Sequence, residues 1–221
     1  AFLIISISFL CSELLWSNER LDKIWEKSPS ENVPSPDIKF LIVFIILFYF
    51  IYNFYKVDQK EGIAEKYNNA ALNYNPNNNS ETILYMKEII LKKDRTYSPL
   101  ALYFLIDNNL NLPNTEINEY FDIIINDVNL IKSNKYLNIY KKTLFNADLV
   151  SEQELLLMIN PVLKEENEWK SHALYLMAEY YFENKQFNKS KEFYNNILSL
   201  KNGNQNIKLE AKIRLQRDFS D

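Results

Sequence analysis

The sequence predicts an all-α protein in which an N-terminal transmembrane helix precedes an antiparallel array of helical hairpins, an α-solenoid. Three observations lead to this prediction. Residues 40–55 form an apolar run without charge, glycine or proline, the chain after them repeats apolar residues at helical spacing, and only 2 glycines occur in 221 residues. Because tight strand turns and phosphate-binding loops need glycine, an all-β fold and a nucleotide-binding fold are both disfavoured.

Composition excludes several classes of function. The net charge of −4 is close to balance, so no broad basic face for nucleic acid is expected. The chain holds 1 cysteine and 1 histidine, whereas a zinc site needs several such ligands and a disulfide needs two cysteines. We therefore expect no metal, no cofactor and no nucleic-acid partner.

The chain is predicted to have three parts. Residues 1–37 form an N-terminal hydrophobic and juxtamembrane segment with a proline-rich linker, residues 38–56 form the transmembrane helix, and residues 57–221 form the helical domain. Residues 1–16 are a second apolar run, interrupted by Glu13, without the basic region of a secretory signal. Three interpretations stay open for that run: a truncated hydrophobic segment, a second span, or a wrongly assigned start.

The span is predicted from the absence of a polar face. A helix in the core of a soluble protein shows a polar face that recurs every 3.6 positions, whereas residues 40–55 show no such face and hold one weakly polar residue, Asn53. The alternative is a buried hydrophobic helix of a soluble domain. Aromatic side chains spaced along the run are expected to anchor it in the bilayer: Phe40, Phe44, Phe48, Tyr52 and Tyr55. Four basic residues closely precede the span and three follow it, which favours a cytoplasmic N-terminus and an exported C-terminal domain.

After the span, helical spacing and start signals predict a series of helices. They cover residues 58–74, a helix capped by Ser80, residues 100–110 after Ser98 and Pro99, a helix opened by Pro113, and residues 133–146. A capping box at Ser151 and Glu154 precedes another helix, which Pro161 is expected to end or kink. Helices over residues 166–184, 188–200 and 206–218 complete the chain, with Gly203 as a stop after the second of these.

Helix pairs of this length suggest tetratricopeptide repeats (TPR), which place small residues where two helices cross and aromatic residues around them. One degenerate repeat is visible in residues 160–198, although Ile197 stands where the signature has alanine and the terminal proline is missing. The residues expected to pack this repeat are Leu174, Ala178, Tyr181, Ser190 and Tyr194.

The order of segments resembles a known family. The similarity lies in three consecutive segments: RLDKIWEK (residues 20–27), one span, and a degenerate repeat domain that contains NPVLKEENEWKSHALYLMAEYYFENKQFNKSKEFYNNIL (residues 160–198). In these segments the chain is similar to single-span TPR-like proteins of alphaproteobacteria related to the ancillary SecYEG translocon subunit family. The proline-rich residues 28–37 and the run before Ser17 depart from that pattern. The resemblance implies a bacterial inner-membrane anchor, a periplasmic repeat domain, and association with the translocon, periplasmic chaperones or client chains.

The function expected from these features is that of a membrane-anchored adaptor or chaperone-like scaffold for protein–protein interactions. Four aromatic residues are candidates to line its binding groove, with the core as the alternative location: Tyr85, Tyr103, Tyr180 and Phe187. A structural or assembly subunit of another membrane complex shares every one of these features and stays open as the alternative.

An enzyme is not expected, and no catalytic residue is assigned. The carboxylate pairs Glu152/Glu154 and Glu165/Glu166 lie at predicted solvated helix starts, where acidic side chains suit the helix dipole. His172 follows Trp169 by three residues on one helix face and is interpreted as a structural histidine, with a pH-sensitive contact as the alternative.

Overall fold

The computed structural model describes residues 36–219, without the side chains of residues 36–40, 56 and 58. This part of the chain is all-helical: it holds nine α-helices and no strand. The chain divides into two compact units, one ending at Lys56 and one running from Val57 onward. The predictions made for residues 1–35 lie outside the described residues.

The helices follow one another with short connections. They are α1 (Pro36–Leu72), α2 (Ser80–Leu91), α3 (Tyr97–Asp107), α4 (Asn114–Asp127), α5 (Lys132–Asn146), α6 (Glu152–Lys164), α7 (Lys170–Glu183), α8 (Phe187–Ser199) and α9 (Gln205–Asp218). Each predicted helix after the span therefore has a counterpart, with ends shifted by a few residues.

Helix α1 is longer than the sequence predicts. The prediction ended a linker at Asp37 and separated the span from a helix over residues 58–74, whereas α1 runs without a break from Pro36 to Leu72. Proline is favoured at the first position of a helix, because its missing N–H would have no partner there. The charged residues that follow the apolar run, such as Glu61 and Glu65, are good helix formers and continue the helix.

From α2 onward, each helix packs against the next one in the chain. Three helices also contact the helix after next: α2 contacts α4, α5 contacts α7, and α7 contacts α9. This order of contacts places sequence neighbours side by side in the second unit.

Three apolar clusters hold the second unit together. The first joins the end of α1 to α2, α3 and α4, with Met86, Leu102 and Ile124 fully buried. The second joins α5, α6 and α7 around residues such as Ile159 and Met177, and the third joins α7, α8 and α9. Because a single buried aliphatic side chain contributes roughly 1.5–3 kcal/mol, these clusters supply most of the driving force for folding the domain.

Several leucines of these helices lie on the surface. Leu72 is 83% exposed, Leu84 54%, Leu91 56% and Leu144 49%. On α2 the buried residues are Thr82, Met86, Ile89 and Ile90. The wide apolar stripe of α2 contains more leucine and isoleucine than one contact face can cover.

The helix predicted over residues 166–184 begins later, at Lys170. The Asn167 carboxamide explains the delay, because its Nδ2 donates to the carbonyls of Val162 (2.8 Å) and Glu165 (2.9 Å). Its Oδ1 also accepts from the N–H of Trp169 at 2.9 Å. These bonds fix a turn between α6 and α7.

Candidate functional site

The first candidate is the apolar part of α1. Segment Leu41–Leu72 contains a stretch long and apolar enough to cross a membrane, and none of that stretch is buried. Val43, Ile46 and Phe50 are 54%, 48% and 60% exposed. Fourteen large hydrophobic side chains lie exposed between positions 41 and 55. Leaving them in water rather than in an apolar medium costs on the order of 20 kcal/mol.

The residues predicted to anchor this helix are all on its exposed surface where the structure describes them. Phe44 is 74% exposed, Phe48 68%, Tyr52 55% and Tyr55 61%. The side chain of Phe40 lies outside the described set. The sequence run therefore presents its aromatic side chains outward over several turns.

The second candidate is the α7–α8 hairpin, where the repeat signature falls. The five signature residues Leu174, Ala178, Tyr181, Ser190 and Tyr194 are all buried. The hydroxyl of Ser190 donates to the backbone carbonyl of Ala178 at 2.9 Å. Two helices can approach this closely only where small side chains face each other, and here both are small.

A polar network fastens α9 to this hairpin. The guanidinium of Arg214 donates to both carboxylate oxygens of Glu179, from Nε at 2.8 Å and from Nη2 at 2.5 Å. The hydroxyl of Tyr194 donates to the same carboxylate. Burial alone would raise the pKa of Glu179, but the hydrogen bonds from Arg214 and Tyr194 outweigh it and hold the pKa below its usual value. Every charge in this network has a partner, which is typical of a structural contact.

The carboxylates singled out by sequence also have structural partners. Glu152 accepts from Lys189 (2.7 Å), Gln186 (3.0 Å) and Tyr181 (3.0 Å), and the lysine chiefly lowers the pKa of Glu152. The predicted capping box is confirmed, since Ser151 and Glu154 bond each other's backbone. The remaining pair forms salt bridges, Glu165 with Lys132 and Glu166 with Lys170.

His172 belongs to an aromatic cluster between α5 and α7. Its ring lies 5.1 Å from the ring of Trp169 and 6.0 Å from that of Tyr140, and the Tyr140 and Trp169 rings stack at 6.1 Å. Two buried nitrogens, Trp169 Nε1 and His172 Nδ1, have no hydrogen-bond partner within residues 36–219. Burial lowers the pKa of His172, opposed in part by the Glu168 backbone.

The third candidate is a cleft with two lobes, which we call the α3–α5 cleft. One lobe, of ≈ 170 Å³, is lined by residues that include Tyr103, Lys141 and Leu144. The other, of ≈ 450 Å³, is lined by residues of the α3–α4 loop and the ends of α3 and α4. Ile106 and Phe145 line both lobes, so the two lobes adjoin each other.

The four aromatic residues predicted to line a groove have different locations. Tyr103 lines the α3–α5 cleft, where its hydroxyl donates to Asn138 at 2.8 Å and burial raises its pKa. Tyr85 faces a polar groove between α1 and α2. Phe187 is 49% exposed in the α7–α8 turn, and Tyr180 is half-buried against the second apolar cluster.

Sequence reasoning missed the asparagines of the larger lobe, Asn109, Asn111 and Asn114. Asn109 and Asn111 have positive φ, at 50° and 44°. The sequence NNLNLP could have indicated this, because asparagine is the residue after glycine that best tolerates the left-handed region. The abundance of asparagine throughout the chain hides the signal.

No group of three or more His, Cys, Asp or Glu side chains that could hold a metal ion occurs in the described part of the chain. A comparison with models of known protein families, with curated proteins and with solved structures finds no match.

Proposed function

We propose that the protein is a membrane-anchored, TPR-like adaptor or scaffold that mediates protein–protein interactions at the bacterial inner membrane, as an ancillary translocon-associated or chaperone-like factor. One observation carries the proposal: a helix long and apolar enough to cross a bilayer, with none of its apolar stretch buried, precedes a domain built from helices. A bilayer removes the cost of exposing that helix to water.

The order of helix contacts supports the adaptor part of the proposal. In a hairpin array each helix contacts its neighbours in sequence, and the surfaces between layers stay available for partners. The contacts from α2 to α9 follow this order. The contact between the small residues Ala178 and Ser190, where α7 meets α8, supports the TPR-like part of the proposal, although a TPR usually has alanine at the position of Ser190.

The proposed orientation places the domain after the span in the periplasm. It rests on the excess of basic residues before the span, four against three. Tethering raises the local concentration of the domain beside a membrane-embedded partner, so weak contacts with the translocon, periplasmic chaperones or client chains are sufficient for function.

Protease accessibility tests anchoring and orientation together. A full-length protein with a C-terminal epitope tag is expected to be cleaved by added protease in intact spheroplasts and protected in inverted vesicles. The opposite pattern would overturn the periplasmic location. Recovery of the protein in the soluble fraction would overturn the anchor.

Crosslinking in cells tests the partner class. Photo-crosslinkers on the helical domain are expected to capture translocon subunits, periplasmic chaperones or nascent chains. Stoichiometric co-purification with a different large membrane complex, without those crosslinks, would favour the assembly-subunit function instead.

A further inference from the structure

The α3–α5 cleft combines an apolar floor with unused carboxamides. The floor includes Ile106, Phe145 and Ile117. Around it, the carboxamides of Asn109, Asn111 and Asn114 make no hydrogen bond to any other described residue, and all three residues are exposed. Each carboxamide offers donors and an acceptor side by side, which is the pair of groups that a peptide bond needs.

The charge of the cleft is close to zero. Among the residues that line its two lobes, Asp107 and Lys141 are the charged ones, and their charges are opposite. The Nζ of Lys141 lies 4.0 Å from the centre of the Tyr103 ring, in a cation–π contact within the protein. The lobe that holds the asparagines has no charged lining residue, so an uncharged segment suits it better than a charged one, which would lose its hydration there without gaining a counter-charge.

The size of the cleft indicates what kind of chain fits it. Fourteen residues line the two lobes. A stable interface with a folded partner takes roughly 20–30 residues on each side, so this surface is small for a second copy of the chain. A helical ligand has already paired its backbone groups internally, whereas an extended segment presents free N–H and C=O groups to the carboxamides.

We propose that the α3–α5 cleft binds an extended, uncharged apolar segment of an unfolded polypeptide. Apolar side chains of the segment lie on the floor formed by Ile106 and Phe145, and Asn109, Asn111 and Asn114 hydrogen-bond its backbone. Leu144, 49% exposed on the rim, extends the apolar contact. This inference rests on the proposed adaptor function and names its ligand as an unfolded chain rather than a folded subunit.

Fluorescence anisotropy on the full-length protein in detergent tests the proposal. The probe is a short fluorescein-labelled peptide with a central valine–leucine segment between glycine–serine flanks. A version with aspartates in the centre and a hydrocarbon-stapled helical version serve as competitors. We expect saturable binding of the neutral extended peptide, and competition at least about 10-fold weaker from the other two.

Variants locate the site. The triple change Asn109→Asp, Asn111→Asp and Asn114→Asp removes the donors, and aspartate tolerates the left-handed backbone nearly as well as asparagine. This variant and Leu144→Lys are expected to weaken binding at least about 10-fold, from the loss of two or three hydrogen bonds or of the rim contact. The matched control, Asn77→Asp with Asn78→Asp, adds charge to exposed asparagines in another turn and is expected to stay within about twofold of wild type.

Three results would overturn the proposal: no saturable binding, equal binding by the cleft variants and wild type, or preference for the stapled helix. Circular dichroism is expected to show unchanged helix content for all variants, because the substituted side chains are exposed. A benzophenone at Leu112, compared with one at Leu209 on α9, gives a second readout that needs no destabilising change. Anisotropy in detergent does not depend on the anchor or its orientation, so its outcome is separate from that of the protease experiment.

Discussion

At the scale of single residues, the Glu179–Arg214 ion pair is a two-pronged contact that joins α9 to α7. The Arg214 side chain is 13% exposed and that of Glu179 is 30% exposed, and the guanidinium also lies 4.5 Å from the centre of the Phe182 ring. Arg214→Met leaves the carboxylate half-buried without its cation. Because removing one partner of such a pair exposes the full desolvation cost of the other, we expect a loss of roughly 2–4 kcal/mol in the free energy of unfolding.

Urea unfolding followed by circular dichroism measures that loss. Lys170→Met is the control, since it breaks a salt bridge in which Glu166 is 69% exposed, and we expect a much smaller effect there. The double variant Glu179→Gln with Arg214→Met removes both charges and is expected to recover part of the stability. A loss of equal size in Lys170→Met would contradict the assignment of Arg214 as the fastening residue of α9.

We expect His172 to make the stability of the domain depend on pH. Its pKa is lowered from 6.5 by burial, which means that the folded state favours the neutral ring. Stability from this group is therefore fully present above about pH 6.5 and is lost as the pH falls from there through the lower folded-state pKa. The rings that face His172 are Tyr140 and Trp169, neither of which titrates in this range.

Urea midpoints at pH 7.5 and pH 5.5 measure this dependence. We expect the wild type to lose stability between the two values, and His172→Phe to lose less. The pKa values of Glu152 and Glu179 are lowered, so these carboxylates lose their stabilising contribution only below that window. Equal pH dependence in wild type and His172→Phe would show that another group is responsible.

At the scale of helices, the residues before α6 and α2 allow a comparison of a capped helix N-terminus with an uncapped one. Ser151 caps α6 in a capping box with Glu154, whereas the side chain of Asn79, which precedes α2, bonds no N–H of its helix. Ser151→Ala is expected to cost about 1 kcal/mol in unfolding free energy, because it leaves an N–H of the first turn without a partner. Asn79→Ala is expected to cost only a few tenths of a kcal/mol in unfolding free energy. Equal costs for the two changes would contradict a stabilising role of the capping box.

The helices were predictable to the extent that their signals are local. The capping box at Ser151 and Glu154 involves residues three apart, so a sequence pattern identifies it. Pro161 does not end its helix, which was one of the two outcomes expected for it: α6 continues to Lys164, because the carbonyl that loses its donor belongs to Leu157, which is 66% exposed and leaves that carbonyl close to water. The start of α7 was also predicted too early. The side chain of Asn167 donates to the backbone carbonyls of Val162 and Glu165, and this turn between α6 and α7 has no local sequence signal.

The cleft could not be predicted in the same way. It brings together Leu105, Asn111 and Phe145, which lie on two helices and a loop, and helical periodicity carries no information on which helices meet. Tyr103 was identified as a groove candidate from its residue type, and it does line the cleft. The exposed position of Leu144 could not be predicted either, because the face of α5 that is buried includes the polar side chains Asn138 and Asn146, which an apolar pattern does not identify.

At the scale of the whole molecule, the proposed membrane anchor determines where every other surface acts. A double change, Phe44→Asp with Phe48→Asp, puts two charges near the middle of the apolar run. Each aspartate at the centre of a membrane helix costs roughly 2.5–3.5 kcal/mol, so the pair shifts the insertion equilibrium by roughly 6 kcal/mol, or about 10⁴-fold. We expect the variant to move from the carbonate-resistant membrane pellet to the soluble fraction.

The control for this change is Leu157→Asp, which adds one charge at a 66% exposed leucine of α6 and is expected to leave the protein in the pellet. The same fractions separate two explanations of membrane association. If the apolar run of α1 holds the protein, only the Phe44 and Phe48 variant is released. If the helical domain instead binds the membrane through a partner, the variant stays in the pellet and a high-salt wash releases it. Salt weakens such exposed charge contacts, because the screening length falls from about 10 Å at 0.1 M salt to about 3 Å at 1 M. That second result would contradict the anchor, and with it the tethering that the adaptor function requires.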